Sequence, residues 1–138
     1  MSQALIRAAF ETPLAAWAAV QSPALPVAWE NVTFAPGTRH VRANLLPAAT
    51  VSLDLLGRHR RYQGIFQVSL VMPQGDGMGP TEALVSSLEA EFPQHALFTS
   101  GGIRIYIVRP MSAAAALTSA DDVMTPCSFR YSSDIVVS

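Results

Sequence analysis

Few residues in this 138-residue chain are of a type and spacing that could do chemistry. The histidines are His40, His59 and His95, and no two of them sit at a spacing that would share a metal. The single cysteine, Cys127, lies far from all three in the sequence. A zinc site needs several nitrogen, sulfur or oxygen ligands held ready, so no metal centre is expected. Cys127 as a nucleophile would need an exposed thiolate beside a base. It falls instead on the apolar parity of a strand pattern, which reads as a buried structural thiol. Gly75-Asp76-Gly77-Met78-Gly79 precedes a helical pattern and superficially resembles a phosphate loop. It lacks the GxGxxG register, and the chain has no lysine, which also removes the P-loop lysine and any Schiff-base lysine. The serines form no Gly-x-Ser-x-Gly elbow. The acidic pairs Glu89/Glu91 and Asp121/Asp122 read as surface charge. No catalytic residue, metal or cofactor is expected, and the chain does not read as an enzyme.

One cluster remains, the basic turn Arg58-His59-Arg60-Arg61. Between positions 39 and 61, Arg39, Arg42, Arg58, Arg60 and Arg61 face one acid, Asp54, while Glu82, Glu89 and Glu91 lie further on. Three readings stay open. The turn is a solvated hairpin, since several guanidiniums cannot be desolvated unpaired. Or it is a small nucleic-acid-binding surface, with Arg42 and Tyr62 contributing. Or it is a subunit interface, because arginine is enriched where surfaces pair with carboxylates. A net charge of −1 argues against a protein whose whole surface binds nucleic acid or an anionic membrane.

The turn feeds the clearest strand in the chain. From Tyr62 to Met72 the even positions are Tyr62, Gly64, Phe66, Val68, Leu70 and Met72, an apolar face with a period of two. Before it, Leu5, Ile6, Ala9, Phe10, Leu14, Trp17 and Val20 recur at helical steps. Pro13 interrupts them, so the helix either kinks there or restarts with Thr12 as its cap. Residues 27–31 and 41–45 read as short strands, with a turn at Pro36-Gly37. After the turn chemistry of residues 73–80, Ala83, Leu84, Val85, Leu88 and Phe92 mark a second helix. Residues 97–109 read as two short strands or one bent one, and 123–131 as a last strand. Pro126 there suggests a sheet edge or a bulge. Residues 48–56 and 111–122 stay unassigned.

The expected fold is α+β, in the order α-β-β-β-α-β-β: a mainly antiparallel sheet, a mixed one left open, with two helices on one face. Length and a 50% apolar composition fit one domain over residues 1–138, with 132–138 as a flexible tail. A lone cysteine allows no internal disulfide, and no apolar run is long enough to span a bilayer. The reading is of a soluble, intracellular protein.

Laid end to end, these segments are ALIRAAFET with its following AAW, PVAWENVTFAPG, VRANLLPA, LDLLGRHRRYQGIFQVSLVMPQG and a Gly-Pro-Thr-Glu-Ala helix start. The run resembles the small tail-completion proteins of long-tailed bacteriophages and prophages. More narrowly, it resembles a phage-related domain of unknown function likened to the lambda tail terminator. The resemblance runs from Ala4 to about Arg130 and is most specific at Trp29-Glu30-Asn31 and from Gly57 to Gln74. It implies a subunit that assembles with itself into a ring, a hexamer, on the end of the tail tube. That ring would stop tube polymerisation and present a surface to the head–neck connector protein. It implies no catalysis and no cofactor, a life in the host cytoplasm during assembly, and then a place in the virion tail. The expected interface residues are Arg39, Arg42, Arg58, Arg60, Arg61 and Tyr62 on one side, and Glu82, Glu89 and Glu91 on the other.

Overall fold

The computed structural model describes residues 2–21, 24–30, 39–75, 79–119 and 121–136. In chain order the elements are α1 (Ser2–Ala19), β1 (Val27–Ala28), β2 (His40–Pro47), β3 (Val51–Ser52) and β4 (His59–Pro73). They continue with α2 (Gly79–Glu91), β5 (Leu97–Ser100), β6 (Ile103–Ala113), β7 (Leu117–Thr118) and β8 (Asp122–Val136).

This corrects the expected α-β-β-β-α-β-β layout. Among the described residues four strands precede α2 and four follow it, and those residues are mostly β, 48% strand against 25% helix. The eight strands form one mixed sheet, a half-barrel, ordered β1-β2-β4-β8-β6-β5, with β3 beside β4 and β7 beside β8. It is mixed because β1 runs parallel to β2, Val27 opposite Val41; every other pairing is antiparallel. The reason for the misreading is physical. β1 falls within the strand expected over residues 27–31, but β3 and β7 are two residues each, too short to show a period, and they exist as strands only through the longer neighbours they pair with.

At the centre, β4 and β8 pair over fifteen consecutive rungs, from His59 opposite Val136 to Pro73 opposite Asp122. Residues 132–136, expected as a flexible tail, therefore supply rungs against 59–63. Even positions of β4 face the core: Phe66, Val68, Leu70 and Met72 are buried. Val41, Ala43 and Leu45 join them from β2, Cys127, Phe129 and Tyr131 from β8, and Ile105 and Ile107 from β6. Both helices cover this face. Phe10 of α1 sits among rings from β4, β5, β8 and the residue after α2, with centroids 5.2 Å from Phe66, 6.4 Å from Phe92, 5.5 Å from Phe98 and 5.0 Å from Phe129. Trp17 Nε1 donates to Ser87 Oγ at 2.9 Å and ties α1 to α2.

Pro13 lies inside α1, which continues to Ala19 with Leu14 and Trp17 buried beyond it. Pro126 lies within β8, flanked by β4 on one side and β6 on the other, so it is not on a sheet edge. Its carbonyl accepts from the N–H of Ala114, 2.8 Å away and just past the end of β6. A strand residue's N and C=O point the same way, so the missing N–H costs the β4–β8 ladder nothing. Two register shifts in β6 accompany it. Gly64 is held to glycine by contact: a Cβ there would lie 2.5 Å from the Leu46 carbonyl oxygen and 2.7 Å from the Tyr131 hydroxyl. The expected turn at Pro36-Gly37, the Asn31 end of the 27–31 strand and Asp76 to Met78 lie outside the described residues.

Candidate functional site: a basic arm and an acidic helix flank

β3 and the start of β4 form a hairpin arm that projects from the sheet. Its closure is local. Leu53 N–H donates to the His59 carbonyl at 2.7 Å, and Gly57 N–H donates to the Asp54 carbonyl at 3.3 Å. The Asp54 carboxylate accepts the Arg58 N–H at 2.9 Å, so the one acid of the arm serves as a turn cap. Gly57 takes a φ of +69°, a left-handed conformation that glycine adopts without steric cost. The arm therefore holds its shape through its own backbone, and its side chains are left to solvent.

The arginines of the expected patch part company. Arg61 belongs to β4, and its Nε donates to Asp134 Oδ1 of β8 at 2.8 Å, directly across the ladder. The side-chain hydrogen bond from Arg61 holds the Asp134 carboxyl below its ordinary range. Arg60 Nε donates to the Gly57 carbonyl at 3.0 Å and stays exposed. Arg58 is exposed, and among the described residues its guanidinium has no carboxylate within salt-bridge distance. Tyr62 packs against the core. Arg42 sits opposite Ser69, nine rungs from Arg60, roughly 30 Å along β4 at ~3.4 Å per residue. Arg39 immediately precedes β2 at that same far end. The structure joins Arg58 and Arg60 into one patch and places Arg39 and Arg42 elsewhere.

The acids separate too. Glu82 and Glu89, seven residues apart on α2, share one flank with Val85 and Ser86. Glu91 falls on the opposite flank, the side of Ser87, which faces α1. All three glutamates are exposed.

Two features escaped the sequence. The arm's tip is apolar: Leu55 is 106% exposed and Leu56 73%, with Val51 and Leu53 also exposed. Its sequence signal is three leucines interrupted by an aspartate and stopped by a glycine, directly before the basic turn. The sheet face away from the helices carries Arg109 of β6 directly opposite Arg130 of β8, both exposed. They flank a depression that Ser112 and Ser128 also line. Like charges facing each other across strands disfavour the sheet unless an anion relieves them.

Nothing in this geometry resembles an active site. Cys127 is buried, and burial, with a smaller push from Glu89, raises its thiol to about 11. Among the described residues no group of His, Cys, Asp and Glu could hold a metal ion, and no helix is long and apolar enough to cross a membrane. What stands out instead is exposed: the leucine tip, the arginines of the arm and the glutamates of α2.

Comparison with known proteins agrees with that character. A family model described as phage tail terminator protein matches residues 5–131, and the chain belongs to that family. A solved structure is similar at 44% sequence identity and a TM-score of 0.82, over 96% of this chain and 96% of that one. Among curated proteins none matches significantly. The family is a structural one, which gives the chain a role in phage tail assembly, contact with tail components and a place in the virion tail.

Proposed function

We propose that this chain ends the phage tail: copies of it close into a ring of six on the head-proximal end of the tail tube, stop its polymerisation and offer the head–neck connector protein a surface. Assembly takes place in the host cytoplasm. The observation that carries this reading is the family match over residues 5–131. Two unlike exposed patches on one subunit support it, Arg58 with Arg60 on the arm and Glu82 with Glu89 on α2. A ring needs a heterologous contact, one patch meeting a different one on the neighbour, and opposite charges set its register. Arg61, neutralised within the chain, and Glu91, on the other flank, contribute less to that contact. Tails assembled without the protein test the reading by electron microscopy. Overlong or headless tubes are expected; tubes of normal length joined to heads would overturn it.

A second reading, contact with a nucleic-acid backbone, draws on one observation, Arg109 facing Arg130 across the uncovered sheet face. Salt titration separates the two. Affinity for duplex DNA should fall steeply with salt in proportion to the phosphates neutralised.

A further inference from the structure

The leucine tip has no place within its own subunit. Clusters of exposed apolar side chains on small proteins mark contact sites. Leu55 and Leu56 stand exposed on a turn closed by its own hydrogen bonds. Elsewhere on the same molecule lies a groove that suits them. It has a volume of about 400 Å3 and runs between Val85 of α2 and the small side chains of Ala113 to Ala116. Its lining includes Thr125, 4% exposed, whose Oγ1 has no hydrogen-bond partner among the described residues. A buried hydroxyl without a partner is destabilising, so a chain entering the groove with a free backbone donor or acceptor would relieve it.

We infer that the groove beside α2 receives the Leu55-Leu56 tip of the arm from a second copy of this chain. Distance excludes the subunit's own arm. The arm's β3 pairs with β4 at the Arg60 rung, and Thr125 pairs with Leu70, ten rungs further along β4, roughly 34 Å at ~3.4 Å per residue. Charge selects the same occupant. Arg58 and Arg60 follow the leucines, and Glu82 lines the groove with Glu89 on the same helix flank. An apolar plug with a basic collar thus meets an apolar slot with an acidic rim. Because tip and slot are different surfaces on one subunit, the contact repeats head to tail, the kind of contact a closed ring requires. The inference rests on the ring reading above in taking the occupant to be another copy.

Cross-linking tests it on the full chain, concentrated and with tail tubes present. Leu55→Cys and Ser86→Cys are made separately, mixed and oxidised; the native Cys127 is buried and stays out of the reaction. Ser86 lines the groove and is exposed, and exposed Ala15 of α1 serves as the control site. The mixed Leu55→Cys/Ser86→Cys dimer should exceed both like pairs and the Leu55→Cys/Ala15→Cys pair several-fold. A double variant carrying both substitutions should give a ladder that ends at the ring. Dimers of Leu55→Cys with itself, or no excess over the control, would overturn the inference. Failure of the two readings is distinguishable. A chain that stops tubes but gives only like pairs retains the terminator role and loses this contact. A chain that leaves tubes unchanged but yields the mixed dimer does the reverse.

Discussion

Arg7 of α1 and Glu30, just after β1, form an ion pair at 2.7 Å, and the same carboxylate oxygen accepts the Leu45 N–H of β2 at 2.7 Å. One carboxylate thus fastens the first helix to the edge of the sheet. Because the N–H of Leu45 depends on it, the clamp carries more than an exposed salt bridge does. Glu30→Ala should cost about 1–2 kcal/mol, since it removes the charge partner and leaves a part-buried backbone donor unpaired. Glu30→Gln keeps an acceptor and should cost less than half of that. Thermal unfolding of the two variants measures the difference; equal losses would show that only the charge matters.

Acid should loosen this clamp and the arm's base together. The hydrogen bond from Arg7 holds Glu30 below the ordinary carboxylate range, and Arg61 does the same for Asp134. A carboxylate whose folded value is depressed adds stability above its unfolded value and loses it as pH falls through the folded one. Stability should therefore decline as pH drops below about 4. Glu11 works the other way. Burial raises its value more than Arg7 lowers it, so protonation relieves a strain that its ionised form imposes. The Glu30→Gln variant should show a shallower acid decline than the parent in melts taken from about pH 5 to 3. An unchanged slope would remove Glu30 from the account.

Gly64 predicts a steric outcome. A methyl group there meets the Leu46 carbonyl and the Tyr131 hydroxyl, and the carbonyl belongs to a paired strand that cannot swing aside. Gly64→Ala should destabilise by about 1–3 kcal/mol. Adding Tyr131→Phe removes one close contact and leaves those with the Leu46 carbonyl and the Pro47 backbone, so chemical denaturation of the double variant should recover only part of the loss. Full recovery would place all of the strain on the tyrosine.

Cys127 should be silent toward alkylation in the folded protein. It is fully buried, and its thiol is pushed up to about 11, so little thiolate exists near neutral pH and what exists is covered. Iodoacetamide should label it only as the chain unfolds, at the unfolding midpoint in urea. Rapid labelling of the native protein would contradict the burial.

Much of the core was legible because it depends on local periods. Phe66, Val68, Leu70 and Met72 follow from a period of two, and Phe10, Leu14 and Trp17 from a helical one that Pro13 does not end. Family membership was legible as well, since it lies in the residues themselves. Strand order, the parallel pairing of β1 and the short strands β3 and β7 were not, because a two-residue strand is defined by its partner and leaves no period of its own.

The charged surface divides in the same way. Sequence alone determined that arginines gather at residues 58–61 and that exposed acids lie on α2. Only the tertiary structure decided which of them are available for a partner. Arg60 and Arg61 are neighbours in the chain, yet Arg61 meets Asp134, seventy-three residues away, while Arg60 bonds only within the arm. Glu89 and Glu91 are two residues apart and lie on opposite flanks of one helix. Composition sets which groups a chain carries, but a partner across a sheet or around a helix is chosen by the fold, because charges interact through space and not along the sequence.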